Sequence, residues 1–114
     1  MNIRKVQLNS GEVLIVYVAL RKGLGGKGYN ADQYRKVHPV IFEMETQGIE
    51  ENEKGISIPV DKIFNLMMKE KEYVAIFEIV KSSSGWNSKQ AEILLPLIEK
   101  MENIPAESDE ESPK

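Results

Sequence analysis

Cysteine is absent from this 114-residue chain, which excludes disulfides, thiolate metal sites and cysteine nucleophiles. Histidine occurs once, at His38, and tryptophan once, at Trp86. One imidazole and scattered acids make a poor ligand set for a metal, and no pair of carboxylates has the spacing of an acid–base site. The Gly26-Lys27 pair does not complete a phosphate loop, because Arg21 takes the first glycine position and Gly28 the Ser/Thr position. The chain is therefore expected to be neither an enzyme nor the carrier of a cofactor or metal. No apolar run nears the roughly 18 residues that cross a bilayer, and MNIRKVQLNS has no apolar stretch of a secretory signal. The expected setting is the cytoplasm, or a host's cytoplasm for a viral chain.

What is present is sorted by charge. The formal net charge is −3, yet residues 104–114 alone carry Glu107, Asp109, Glu110 and Glu111 against Lys114. The preceding 103 residues are therefore neutral as a whole. Within them, residues 21–36 (RKGLGGKGYNADQYRK) hold five cations, one acid, four glycines and two tyrosines. Such a segment lets bare backbone approach phosphates, neutralises them with Lys and Arg, and offers tyrosine faces to unstacked bases. A plain solvated connection between strands has the same composition. Tyr29 and Tyr34 stand apart from the other aromatics, since they sit among cations and glycines with no helical or strand period. Tyr17, Phe42, Phe64, Tyr73 and Phe77 read as core or interface residues, Trp86 as a packing residue at a helix start, and His38 as structural or exposed.

The hydropathy pattern suggests a β-rich first half and a helical second half. Asn2–Leu8 and residues 12–20 read as strands joined by an Asn9-Ser10-Gly11 turn. Residues 37–46 read as a third strand with Pro39 near its start. After an acidic loop over 47–54, Gly55 opens a short fourth strand ending at Ile58. Pro59 suits the first turn of a helix, and apolar residues at 60, 63, 64, 67, 74 and 77 continue it to residue 80. Residues 73–80 fit a strand too, by their β-branched and aromatic content. Residues 87–103 form the clearest helix, opened by Asn87 with Gln90 and interrupted by Pro96. The whole is one domain over residues 1–103, and 104–114 is an acidic tail with too little apolar content to order.

Lys54-Gly55-Ile56-Ser57-Ile58, followed by Asp61, Ile63 and Leu66, resembles the strand-to-helix junction of the positive cofactor four family of transcriptional coactivators. Gly11-Glu12-Val13-Leu14-Ile15 is similar to that family's hairpin, and Ser57-Ile58-Pro59-Val60 to the helix start of the Whirly proteins. The resemblance covers about a quarter of the chain and implies single-stranded DNA binding. It also implies an α+β fold: a curved antiparallel sheet of about four strands, backed by a long helix and a C-terminal helix. Assembly into a homodimer or larger homo-oligomer through the helices follows from the same likeness. Only Lys54 falls on a matched cationic position.

The functional expectation is a largely sequence-independent single-stranded DNA-binding protein, with RNA as a second possible strand, serving replication, recombination or transcription. Its contacts are expected from Arg21, Lys22, Lys27, Tyr29, Tyr34, Arg35, Lys36 and Lys54. The acidic tail would recruit a protein partner or compete with DNA for the basic loop. The alternative is a small SH3-like or Sm-like β-barrel adaptor that binds a protein or a small anionic ligand.

Overall fold

The computed structural model describes residues 2–23, 27–104 and 107–108, and these form a mixed α+β fold with four helices and two small antiparallel sheets. In chain order the elements are β1 (Asn2–Leu8), α1 (Ser10–Lys22), α2 (Ala31–Thr46), β2 (Glu50–Asn52) and β3 (Gly55–Ser57). They continue with β4 (Phe64–Lys69), α3 (Glu70–Ser82), α4 (Ser88–Glu102) and β5 (Glu107–Ser108). β1 lies in the middle of the first sheet. It pairs with β4 over six residues, from Ile3 opposite Lys69 to Leu8 opposite Phe64. On its other side it pairs with β5 through Asn2 and Ile3. β2 and β3 form a separate hairpin.

Two expected strands are helices. Residues 12–20 lie in α1, because Asn9 is a helix cap and not the start of a turn. The Glu12 N–H donates to Asn9 Oδ1 at 2.8 Å, and the Asn9 N–H donates back to Glu12 Oε1 at 3.0 Å. The eight-residue apolar run from Val13 to Leu20, expected as a strand, is a helix covered on most sides, with Val13, Ile15, Val16, Tyr17, Ala19 and Leu20 all buried. Residues 37–46 lie in α2, opened by the same device at Asn30 and Gln33. Pro39 sits inside that helix, where its missing N–H leaves the Arg35 carbonyl without an i+4 donor. The four-stranded curved sheet is therefore not formed, and neither is a small barrel among the described residues.

The long helix from Val60 is corrected as well. Residues 60–63 are irregular, residues 64–69 are strand β4, and a helix begins only at Glu70. β4 buries Phe64, Leu66 and Met68 while exposing Asn65, Met67 and Lys69, the two-residue period of a half-buried strand. Helix α3 over residues 73–80 and helix α4 agree with the sequence pattern, including the Asn87–Gln90 cap. Within the segment expected as an acidic tail, Glu107–Ser108 pair with β1 as β5; strand pairing uses main-chain groups and needs no apolar side chains. The Arg4 guanidinium steers the chain there by donating to the Ile104 carbonyl at 2.5 Å. Its other nitrogens fork onto Glu70 at 3.0 and 3.1 Å. Residues 105–106 and 109–114 of the tail lie outside the described residues.

The core fills the space between the β1–β4 pair and the four helices. α1 supplies six of its buried residues, and Met44, Phe64, Leu66, Ile76, Leu97 and Met101 join them in one cluster with essentially no exposure. Tyr17 is wholly buried, donates to Glu45 Oε2 at 2.9 Å, and has its hydroxyl pushed up to about 12, chiefly by burial. Gly23 closes α1 with φ 85° and ψ −178°, a region that only glycine occupies at low cost. A Cβ there would stand 2.6 Å from the Gly28 backbone, to which Gly23 is bridged. Gly23→Ala is expected to cost about 2 kcal/mol from backbone strain alone, read as a lowered urea midpoint with an unchanged m-value. A variant as stable as the parent would show that the Gly23–Gly28 junction is not closed.

Candidate nucleic-acid interface

The segment expected to carry the contacts is not a hairpin loop. It runs from the last turn of α1 into the first two turns of α2, and positions 24–26 within it lie outside the described residues. The Gly28 N–H donates to the Lys22 carbonyl at 3.0 Å, drawing the two helix ends together. Tyr29 then folds back, its hydroxyl donating to the Leu20 carbonyl at the end of α1. Burial pushes that hydroxyl up to about 12. Tyr29 is thus a fixed, neutral ring and not a swinging one.

From Tyr29 a line of rings runs along α2. The Tyr29 and Tyr34 centroids are 5.5 Å apart, and those of Tyr34 and His38 are 5.3 Å apart, each pair tilted by 56°. Tyr34 and His38 are exposed, and Phe42, one further turn along the same side, is 60% exposed. Phe42, expected as a core or interface residue of a strand, is therefore not in the core. Only the helical period reveals it as an outward residue, because the buried positions of α2 are Val37, Val40, Ile41 and Met44.

The opposite flank of α2 meets α3 across a groove of about 460 Å³. Val37, Val74, Ala75 and Ile79 make its apolar floor, Tyr29 closes one end, and Lys36 and Lys71 stand on the rim with Glu70 and Glu78. Lys36, Glu70 and Lys71 continue into a second hollow of about 370 Å³, completed by Arg35, Lys69 and Glu72. Four cations converge there on two carboxylates. Both carboxylates are already engaged, Glu70 by the Arg4 fork and Glu72 by the Lys69 N–H at 2.9 Å. The Arg4 contact holds Glu70 below the usual carboxylate range. The N-terminus of α3 adds its positive dipole end at the same place.

Of the expected contact residues, Tyr29, Tyr34, Arg35 and Lys36 come together. Asp32 lies 3.8 Å from Arg35 and 4.0 Å from Lys36, in exposed pairs that bind these cations only weakly. Arg21 turns to Glu51 of β2 at 2.8 Å, and Lys22 lies 5.3 Å above the Trp86 ring. Trp86 itself packs against the core and donates to Ser83 Oγ at 2.9 Å. Lys27 is exposed beside the Gly23–Gly28 junction. Lys54 sits in the turn of the β2–β3 hairpin, on another element and among Glu50, Glu51 and Glu53. Lys69 and Lys71 are not among the residues expected from the sequence. Their alternation with Glu70 and Glu72 gave no signal, and only the packing of α2 on α3 brings them to Arg35 and Lys36.

The fold and this surface define an α+β chain with a basic hollow beside an exposed row of rings. No family model, curated protein or solved structure matches it. No helix among the described residues is long and apolar enough to cross a membrane, and none of their His, Asp and Glu side chains cluster in a group of three suited to a metal ion.

Proposed function

We propose that the protein binds single-stranded nucleic acid with little regard to sequence, along the outer surface of α2 and the hollow between α2 and α3. One observation carries this reading: Arg35, Lys36, Lys69 and Lys71 line one hollow between the start of α3 and α2, the helix that also bears the Tyr34, His38 and Phe42 rings. Cations along the backbone path and sequence-tolerant ring faces are the two parts such binding needs. Lys27 and the Tyr29 ring extend the surface toward α1. The remaining expected cations, Arg21, Lys22 and Lys54, are left out of it, because their neighbours draw the first two away and the third lies on an acidic hairpin.

Titration of labelled oligothymidylate and oligouridylate against salt tests the reading. Affinity should fall with a log–log slope near −0.7 per phosphate contacted. Replacing Arg35, Lys36, Lys69 and Lys71 together by Ala should flatten that slope by about 2 to 3. No binding in dilute buffer, or a slope the fourfold variant leaves unchanged, removes the proposed site.

A further inference from the structure

The row of rings on α2 has a step of its own. We infer that Tyr34, His38 and Phe42 form a base-stacking ladder that takes one unstacked nucleotide per helical turn; this rests on the single-strand reading above and specifies how the strand lies. Four residues of α-helix advance about 6 Å, so the three positions repeat at roughly that interval. Bases stacked in a duplex are only about 3.4 Å apart. The ladder therefore matches a strand that has been pulled open, and a duplex finds no register on it.

The ring geometry says where the bases go. Tyr29–Tyr34 and Tyr34–His38 are in tilted contact at 5.5 and 5.3 Å, which leaves no slot for a base to slide between them. The bases must lie on the outward faces, as on a platform. Phe42 is the clearest sign of an unfilled role. A phenylalanine 60% exposed on a helix whose inward positions are all filled adds nothing to the core, and ring faces of this kind accept any base. Arg35 follows Tyr34 in sequence and Lys36 follows Arg35, so the cations lie around the helix from the rings, toward Lys69 and Lys71. A strand laid along α2 can set its bases on the ladder and its phosphates on that cationic side at once. Charge complementarity with the phosphates singles out a nucleic acid strand over a neutral apolar partner.

Oligothymidylate binding by Phe42→Ala, Phe42→Leu and Phe42→Trp tests this, with sedimentation of each variant alongside. Phe42 is exposed, so folding should survive each change. Phe42→Ala should weaken binding about tenfold, the usual order for one stacked base, while the salt slope stays as in the parent. Leucine should not restore affinity. Tryptophan should restore it, and its fluorescence should be quenched on binding beyond any change seen for Trp86 in the parent. Intact single-strand binding by Phe42→Ala would overturn the ladder and leave the single-strand reading standing. Failure of the parent to bind any single strand would overturn both. A Phe42→Ala variant that alters sedimentation without altering strand affinity would reassign the ring to a protein interface, and the ladder would again be wrong.

Discussion

Truncating alternate residues of β4 is expected to give alternating results. Phe64→Ala should cost about 4 kcal/mol, and Leu66→Ala and Met68→Ala about 3 each, as is usual when a wholly buried side chain is removed. Met67→Ala and Ile63→Ala, at positions 47% and 56% exposed, should stay within about 0.5 kcal/mol of the parent. Urea midpoints at constant m-value read these differences directly. The pattern discriminates between two readings of one stretch. As a helix, residues 60–69 would place Ile63, Phe64 and Met67 on a common face, and their truncations would rise and fall together. As the strand seen here, Phe64, Leu66 and Met68 face the core while Met67 faces outward. A costly Met67→Ala beside a tolerated Leu66→Ala would refute the strand.

That ambiguity explains how much of the fold was legible in the sequence. β1, β3 and α4 carry signals that agree: alternation, a glycine-led short strand, an Asn cap followed by a 3.6-residue period. The body of α3 follows the helical period, although its β-branched and aromatic content fits a strand as well. α1 and α2 do not. Val13–Val18 of α1 is apolar at every step, and a helix buried on most sides has the same continuous run as a central strand. The deciding residues were the caps, Asn9 with Glu12 and Asn30 with Gln33, whose spacing is that of a capping box but whose neighbours, Gly11 and Gly28, suggested turns. β4 failed in the other direction, since Ile63, Phe64 and Met67 happen to fall at helical spacing. At the proposed interface, the loop composition pointed to Tyr29, Tyr34, Arg35 and Lys36. Lys69 and Lys71 reach them only through the packing of α3 on α2, which no local pattern encodes.

The outer edge of β4 yields the other large expected effect. Among the described residues β4 pairs with β1 on one side only, so the N–H groups of Asn65, Met67 and Lys69 face away from the sheet. Each is met by a side chain. The Asn65 N–H donates to Gln47 Oε1 at 3.3 Å, and Gln47 Nε2 donates back to the Asn65 carbonyl at 2.9 Å. The Met67 N–H reaches both Glu43 oxygens at 3.4 Å, and the Lys69 N–H donates to Glu72 at 2.9 Å. Glu43 on α2 and Gln47, which caps its C-terminus, thus act as a substitute strand and close an edge that would otherwise recruit another chain. Replacing Glu43 and Gln47 together by Ala should expose that edge beside Met67, and sedimentation should shift toward larger species than the parent forms. Unchanged sedimentation would show that the edge is guarded by something other than these two side chains.

Glu43 also sets the sign of a pH effect at this edge. Burial raises its carboxyl above the usual range, against the lowering effect of the Met67 N–H. A carboxyl raised in the folded state holds its proton longer there than in the unfolded chain, so its contribution to stability falls as pH rises through the window between the two values. Glu70 works the other way: Arg4 lowers it, and the stability it supplies is lost as pH falls through its folded value. Glu43→Gln keeps an acceptor oxygen for Met67 and removes the charge that burial disfavours. It should therefore be more stable than the parent at pH 7 and indistinguishable from it below the unfolded carboxyl range, near pH 3. Urea melts of the two proteins at both pH values decide the matter. A variant less stable than the parent at pH 7 would mean that the Glu43 charge is needed at the Met67 N–H, and that burial is not what governs this carboxyl.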